Sequence, residues 1–418
     1  MQDPNDQIQD QTQDQPQADP TLAHWRAQTQ ARQTAQLYRQ VRVLGSDTPY
    51  GQVFCSNDYL GLMRHPALAA ALGEGAKRYG SGSGGSHLIS GHSPAHVAQD
   101  EALAAWFAPH IADAAALSFS TGYMANLALL TALADSDTAL FCDALNHASL
   151  IDGAQLAKQQ KKCTVEIYPH ADMQALAAQL QASDKTHKLI ISDGVFSMDG
   201  TIAPLPDLLR LAHEHKAWLI IDDAHGLGAL GADGAGCVEL FGVKQAQRLI
   251  IMGTLGKAAG LSGAFVVAPA AVIDWLVQSA RPYIYTTASS PAMAHAICAS
   301  VELMRGDEGV ARRLQLDLLI QTLRSGMLHI LQDAGVPAHW QLAPSNTAIQ
   351  PLIVGDNASA LQLSALLREQ GFWVTAIRPP TVAAGSSRLR FTLSAAHTRE
   401  DIEQLLAAFR TAIKGLNL

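Results

Sequence analysis

The sequence has few of the features that tie a protein to nucleic acid or to a membrane. Charged residues make up only 16% of the 418 residues, the formal net charge is -8, and no basic cluster is present. This balance argues against a nucleic-acid surface. The apolar runs have the length of strands, far short of the roughly 20 residues that span a bilayer. The chain is therefore expected to bind neither nucleic acid nor a membrane.

Cysteine is also scarce. The five cysteines are scattered, odd in number and form no CxxC pair. They suggest neither a disulfide framework nor a zinc site, and a reducing cytoplasm is the expected compartment. These residues are Cys55, Cys142, Cys163, Cys237 and Cys298.

The N-terminus differs in composition from the rest of the chain. Residues 1–20 are mostly Gln, Asp and Pro, which predicts a disordered tail, and they lack the basic start and apolar centre of a signal peptide. A helix is predicted from Thr21 to about Arg42, and a short strand running into a turn at 53–62. We expect residues 21–60 to pack against a C-terminal domain.

Strand-length apolar runs alternate with helical stretches between about residues 95 and 290. Helices are predicted at 123–134, 171–182 and 205–216, among others. This alternation predicts an α/β fold with a mostly parallel sheet of seven strands covered by helices on both faces. The predicted strands are Ala116–Phe119, Ala139–Cys142, Thr164–Ile167, Lys188–Ser192, Trp218–Asp222, Leu249–Met252 and Ala264–Val267.

The pattern changes after residue 290. Two long helices (292–305 and 309–334) precede strands at 348–354, 372–380 and 388–393, with helices at 358–370 and from 398. We therefore predict a large domain over 61–290 and a smaller α+β domain over 291–418.

Two strand ends carry the most informative polar residues. Asp222 and Asp223 close a buried strand, with His225 just beyond them, and Lys257 follows the next predicted strand among Gly and Ala. Active sites of parallel sheets gather at the carboxyl ends of the strands. A buried carboxylate needs a partner, and a lysine without an acidic neighbour can act as a nucleophile or base. Taken alone, Lys257 could equally be a solvent-facing residue in a glycine loop.

Three other kinds of site are compared with the sequence and match it less well: a dinucleotide site, a P-loop and a metal site. Gly80, Gly82 and Gly85 match GxGxxG, but a charged helical segment precedes them instead of a strand, which disfavours a nicotinamide dinucleotide site. A P-loop (GxxxxGK[ST]) around Lys257 would need Gly in place of Ile251 and Ser or Thr in place of Ala258, so the sequence does not match that motif. A metal on the Asp-Asp-Ala-His stretch stays an alternative, although no HxH or HxxE set completes it.

A pyridoxal phosphate (PLP) site uses both strand ends. A carboxylate beside a pyridinium nitrogen keeps the ring an electron sink, and a lysine amine forms a Schiff base with an aldehyde. The helix start at Gly122 and Tyr123 offers free N–H groups for a phosphate, although a simple helix start explains that motif equally well.

Five motifs in order resemble the α-oxoamine synthases, and the resemblance runs from about residue 30 to the end. These are fold-type I PLP transferases that join an amino acid to an acyl thioester with loss of carbon dioxide. The motifs are FSTGY (119–123), DALNHASLIDG (143–153), DGVFSMDGTIAPL (193–205), DDAHGLGALGADGAG (222–236) and GTLGKAAGLSGA (253–264).

The resemblance implies a role for individual residues. Lys257 corresponds to the Schiff-base lysine that also moves the Cα proton, Asp222 to the partner of the pyridine nitrogen, and His225 to the partner of the phenolic oxygen. His147 would stack on the ring and touch the substrate. Thr287 would reach the phosphate of a neighbouring subunit, which implies a homodimer. The other residues implied to contact the cofactor are Gly122, Tyr123, Ser197 and Thr254.

The same resemblance implies the substrate contacts. Arg378 would pair with the amino-acid carboxylate, with Thr381 and Asn57 nearby, although Arg378 could also be a surface charge and Asn57 a turn residue. The biotin-pathway members carry an arginine-rich run near the N-terminus that contacts the acyl substrate. The corresponding stretch here is QLYRQVR (36–42), in which Tyr38 aligns with the contacting position and the adjacent Arg39 is taken as the contact.

The C-terminal stretches AIQPLIVGDN (348–357) and VTAIRPPTV (374–382) resemble the biotin-pathway branch of the family. That branch implies L-alanine and a pimeloyl thioester, carried on acyl carrier protein or coenzyme A, as substrates. A member that uses glycine is the main alternative. A nicotinamide oxidoreductase and a non-catalytic relative of PLP enzymes are the others, and the latter would be expected to lose Lys257 or Asp222.

Overall fold

The computed structural model describes residues 19–35, 37–41, 43–45, 48–333 and 335–416. Most of the predicted disordered tail, residues 1–18, and Arg42 at the end of the predicted first helix lie outside them. Over the described ranges, no helix combines the length and the apolar character needed to cross a bilayer.

A seven-stranded sheet forms the centre of the large domain. Five neighbouring strands pair in parallel, and β7 runs antiparallel to both of its neighbours. The prediction of a mostly parallel seven-stranded sheet is therefore confirmed, with order β1-β7-β6-β5-β4-β2-β3. The strands are β1 (Ala114–Phe119), β2 (Thr138–Asp143), β3 (Thr164–Tyr168), β4 (His187–Asp193), β5 (Trp218–Asp222), β6 (Leu249–Thr254) and β7 (Ala264–Pro269).

Helices cover both faces of this sheet because successive strand residues point to opposite sides. In β5, Leu219 and Ile221 join one apolar cluster, whereas Ile220 between them joins the other. The central strands therefore read as continuous apolar runs. The helices of this domain are α2 (Pro66–Tyr79), α3 (Pro94–Phe107), α4 (Gly122–Leu133), α5 (Ala148–Lys161), α6 (Met173–Ala182), α7 (Leu205–Glu214), α8 (Cys237–Leu240), α9 (Ala270–Ser279) and α10 (Arg281–Ile284).

The C-terminal part is the predicted smaller α+β region. Its antiparallel sheet has the order β10-β11-β9-β8, and every residue of β11 is buried. The domain boundaries at 60/61 and 290/291 stay predictions. The elements are α11 (Pro291–Arg305), α12 (Asp307–Ile330), β8 (Gln341–Leu342), β9 (Ile349–Gly355), α13 (Asn357–Glu369), β10 (Thr375–Ile377), β11 (Ser387–Thr392) and α14 (Arg399–Lys414).

The N-terminal segment differs from its prediction in two places. The first helix, α1 (Pro20–Thr34), ends well before Arg42, where β-branched Val41 and Val43 are poor helix formers. Of the short strand running into a turn predicted at 53–62, the turn is present but the strand is wrong. Val53 makes only an isolated bridge, to Trp373.

The Asp58 side chain stabilises a turn at this point of the chain. The Asp58 carboxylate accepts hydrogen bonds from the backbone N–H groups of Leu62 (2.8 Å) and Met63 (3.2 Å), and Gly61 has a φ of 67°. The turn carries the chain from the small domain to the large one, since the Phe54 carbonyl accepts from the Thr392 N–H at 2.9 Å.

Candidate active site

The carboxyl ends of the parallel strands surround a cavity of about 180 Å³. Seven of the residues predicted to form the site line it, together with four others. The predicted ones are Gly122, Tyr123, His147, Asp222, His225, Thr254 and Lys257, and the additional ones are Ser149, Asp193, Ala224 and Met252.

Lys257 lies three residues beyond the end of β6, and its side chain reaches the loop that follows β5. Its Nζ is 2.8 Å from His225 Nε2. Burial lowers the pKa of Lys257 to about 8, although the nearby carboxylates of Asp222 and Asp193 act in the opposite direction. An amine with this pKa can exchange protons near neutral pH, as a nucleophile or general base requires.

Asp222 is the last residue of β5 and is almost fully buried. Its Oδ2 accepts from Asn126 Nδ2 at 2.7 Å, and its Oδ1 accepts from the Ala224 N–H at 3.1 Å. Asn126, on α4, also donates to Ser149 Oγ at 2.8 Å. The amide thus fixes the orientation of the carboxylate toward the cavity.

His147 immediately precedes α5, and hydrogen bonds to Asp193 and Ser149 hold it in place. Its backbone N–H donates to Asp193 Oδ2 at 2.6 Å, and its Nδ1 is 2.8 Å from Ser149 Oγ. Burial lowers the pKa of His147. Burial, together with the neighbouring Asp222, raises the pKa of Asp193 well above that of an ordinary carboxyl group. A neutral imidazole ring is therefore held at the wall of the cavity.

The N-terminus of α4 closes one side of the cavity. Thr121 caps the helix by accepting the Met124 N–H at 3.2 Å, and Gly122 and Tyr123 of the first turn line the cavity. The Tyr123 hydroxyl donates to Asp152. A helix start of this kind favours an anionic group such as a phosphate.

These residues fit PLP. A buried carboxylate suits a protonated ring nitrogen, an amine of lowered pKa suits an aldehyde, and a helix N-terminus suits a phosphate, and all three face one cavity. A metal is the weaker fit, because no group of three or more His, Cys, Asp or Glu among the described residues is arranged to hold one.

Six predicted site residues do not line this cavity. Arg39, Arg378 and Thr381 share a separate cavity of about 200 Å³ between the N-terminal segment and the small domain. Tyr38 and Arg39 line a larger groove of about 730 Å³, again with Arg378. Thr287 pairs with Ser86 of the glycine-rich loop in an isolated bridge.

The remaining two, Asn57 and Ser197, meet at a third residue. Arg390 donates from Nη2 to Asn57 Oδ1 at 3.2 Å and from Nε to the Ser197 carbonyl at 2.6 Å. Arg390 is only 7% exposed, and its charge contributes to lowering the pKa of Lys257 and of His225. A buried guanidinium therefore lies close to the cavity.

Besides Ser149, Ala224 and Met252, four residues near the site were given no role from the sequence: Tyr59, Asn126, Asp193 and Arg390. Arg390 had a detectable signal, because Arg388 and Arg390 alternate within a strand that is otherwise apolar or small, and a buried charge needs a partner. Asp193 ends β4 as Asp222 ends β5, and the two are paired in register. Tyr59 and Asn126 gave no signal, since their contacts join distant parts of the chain.

Comparison with known proteins identifies the family of the chain. The model of the aminotransferase class I and II family matches residues 52–409. The 8-amino-7-oxononanoate synthase of Cupriavidus taiwanensis is 55% identical over 392 residues, which cover 94% of this chain and 95% of the relative.

Two solved structures share the fold. A structure described as SPT with PLP has a TM-score of 0.84 and 26% identity, covering 95% of this chain and 98% of that one. The 8-amino-7-oxononanoate synthase from Francisella tularensis has a TM-score of 0.71 and 28% identity, covering 87% and 98%. The chain belongs to the aminotransferase class I and II family and, within it, to the 8-amino-7-oxononanoate synthases of the α-oxoamine synthase group.

Proposed function

We propose that the chain joins L-alanine to a pimeloyl thioester and gives 8-amino-7-oxononanoate, carbon dioxide and the free thiol of the carrier. The observation that carries this proposal is the convergence of Lys257, Asp222 and the α4 N-terminus on one cavity, in a chain 55% identical to an 8-amino-7-oxononanoate synthase. Bound PLP supplies an electron sink that stabilises negative charge on the amino-acid Cα.

Asp222 and Lys257 would divide the chemistry between them. Asp222, oriented by Asn126, would hold the ring nitrogen in its protonated form. The Lys257 amine would anchor the cofactor, take the alanine Cα proton and later return a proton after decarboxylation. A pKa of about 8 suits both directions of this transfer. His147 would cover the ring and keep water from the carbanion.

The amino-acid carboxylate would be bound by a guanidinium. Arg378 is the choice from the family resemblance, and Arg390 is favoured by its burial and by its contact with Asn57. Arginine suits this role because its planar fork can bind a carboxylate with two parallel hydrogen bonds.

A homodimer would complete the site. Thr287 faces Ser86 of its own chain and does not line the Lys257 cavity. In the proposed dimer, Thr287 would contribute to the phosphate site of the neighbouring subunit. Arg39 would contact the far end of the acyl chain.

A spectral titration followed by product analysis tests the proposal. The PLP-loaded protein should be yellow, and its visible spectrum should change most readily with L-alanine when alanine, glycine and serine are compared. Addition of pimeloyl thioester should then give 8-amino-7-oxononanoate and carbon dioxide in equal amounts. A preference for glycine would support the glycine-using alternative, and failure to bind PLP would refute both.

A further inference from the structure

A chain of hydrogen bonds runs from Lys257 to the small domain. Lys257 Nζ lies 2.8 Å from His225 Nε2, and His225 Nδ1 lies 2.6 Å from the Tyr59 hydroxyl. The hydroxyl is 3.2 Å from Asn57 Oδ1, which also accepts from Arg390 Nη2 at 3.2 Å. Tyr59 is fully buried and packs its ring against that of His225, with centroids 5.9 Å apart.

The charged groups at the two ends of this hydrogen-bond chain determine which atom donates in each bond. A lysine ammonium and a guanidinium can only donate hydrogen bonds, so His225 Nε2 must accept from Lys257. Burial and the nearby positive charges of Lys257 and Arg390 hold the pKa of His225 well below its ordinary value. The ring is therefore neutral, and its single proton lies on Nδ1.

The remaining bonds follow from that proton. His225 Nδ1–H donates to the Tyr59 oxygen, so the Tyr59 hydroxyl proton must point elsewhere, and Asn57 Oδ1 is the acceptor within reach. Burial raises the pKa of Tyr59 to about 12. The hydroxyl therefore stays neutral and can both donate and accept.

The direction would reverse if an anionic oxygen replaced the ammonium at His225 Nε2. Nε2 would then carry the proton and donate it, and Nδ1 would accept from the Tyr59 hydroxyl. Asn57 Oδ1 would keep its bond from Arg390, so no buried polar group would lose its last partner. This reversal needs only a rotation of the hydroxyl and a change of the imidazole tautomer.

We propose that Tyr59 is a positioning residue whose hydroxyl switches His225 from the Nδ1–H to the Nε2–H tautomer when PLP binds. The change to the Nε2–H tautomer rests on the proposed function, because the phenolic oxygen of PLP is the anion that would meet Nε2. The Nδ1–H tautomer without PLP does not depend on it. Phenylalanine at position 59 would keep the packing and remove the group that donates to Nδ1.

The test is ¹⁵N NMR of the histidine side chains in the full-length protein, before and after addition of PLP. The His225 signals are identified by their absence in His225→Gln. In the wild-type protein, Nε2 should appear unprotonated without PLP and protonated with it. In Tyr59→Phe, the protonated Nε2 state with PLP should be lost or reduced to a mixture of tautomers.

Tyr50→Phe is the matched control. Tyr50 lies in the same segment and its hydroxyl donates to Asp58 Oδ2 at 2.8 Å, so this variant also loses one hydrogen bond but should switch as the wild type does. Thermal unfolding of both variants shows whether each is folded. A wild-type His225 that keeps one tautomer, or a Tyr59→Phe protein that switches normally, would overturn the proposal.

The absorbance of the PLP-loaded protein gives a second measurement. Without the donor behind His225, the phenolic oxygen is less well stabilised, so the pH midpoint of the visible band should rise by about one unit in Tyr59→Phe, a tenfold change in proton affinity. An unchanged midpoint would count against the switch. A protein that stays colourless with PLP would instead refute the proposed function. The NMR spectrum without PLP would then still test whether His225 carries its proton on Nδ1.

Discussion

The cavity has two unlike sides. On the sheet side, Asp222 ends β5 and Lys257 follows the neighbouring parallel strand β6, and the pairing of Asp222 with Met252 across β5 and β6 sets their spacing. On the opposite side, Asn57 and Tyr59 come from a turn and Arg390 comes from the small sheet, and a side-chain hydrogen bond joins Arg390 to Asn57. The main chain therefore fixes the position of the chemical groups on the sheet side. On the other side, positions depend on how separate segments pack.

The largest expected effect is on the sheet side. Replacing Lys257 by alanine removes the amine that would anchor PLP and move the Cα proton. We expect turnover to fall by roughly 10⁴-fold, the upper end of what a general acid–base group contributes, and the yellow colour to be lost. The measurement is a visible spectrum together with the rate of product formation.

Lys244→Ala provides the matched control, because Lys244 is exposed and lies outside the cavity. That variant should keep its colour and its rate. Full activity in Lys257→Ala would refute the role given to the sheet side.

The second prediction compares two arginines on the small-domain side. If Arg390 binds the amino-acid carboxylate, Arg390→Gln should raise the KM for alanine by roughly ten- to a hundredfold, as expected for losing a charged hydrogen bond. Arg378→Gln should raise it less. The measurement is steady-state kinetics with alanine varied, at fixed pimeloyl thioester.

If Arg378→Gln raises the KM for alanine more than Arg390→Gln does, Arg378 is the residue that binds the amino-acid carboxylate. Because Arg390 also supports Asn57 and the Ser197 carbonyl, the melting temperature of each variant is compared with that of the wild type before KM is interpreted.

The smallest expected effect concerns stability and pH. Burial lowers the pKa of Lys257 from 10.5 to about 8, so the unfolded chain binds more protons than the folded one between these values, and stability rises with pH there. Without PLP, Lys257→Met should stabilise the protein below pH 8 by up to about 3 kcal/mol, at 1.36 kcal/mol per unit.

This advantage should shrink as the pH rises from 8 toward 10.5, since the unfolded lysine then also loses its proton. Urea unfolding of both proteins without PLP at several pH values measures it. A difference that does not change with pH would mean that burial of the ammonium costs little.

Much of the fold could be predicted because its signals are local. The runs that become β2, β5 and β6 are continuously apolar, and the residues after them follow from the rule that parallel sheets collect polar groups at the carboxyl ends. The incorrect strand at 53–62 shows the limit of this reasoning. Its apolar residues are buried, but the Asp58 carboxylate turns the chain, and no propensity scale includes that bond.

The unpredicted part of the site depends on contacts between distant residues. Tyr59 and His225 are 166 positions apart, and Asn57 and Arg390 are 333 apart. Neither periodicity nor a strand-end rule brings such pairs together. The preference for Arg378 in the sequence came from a family motif, whereas the three-dimensional arrangement favours Arg390.

The two consecutive aspartates at the end of β5 have different surroundings. Asp222 faces the cavity, whereas Asp223 turns away, and its Oδ2 accepts the Cys237 N–H at 2.6 Å. The alternation of the strand turns one carboxylate to the cavity and the other to the support of a loop. Deleting or inserting a single residue within β5 would exchange these assignments without changing either side chain. For anyone redesigning this protein, the length of β5 is therefore as strict a requirement as the identity of the aspartate.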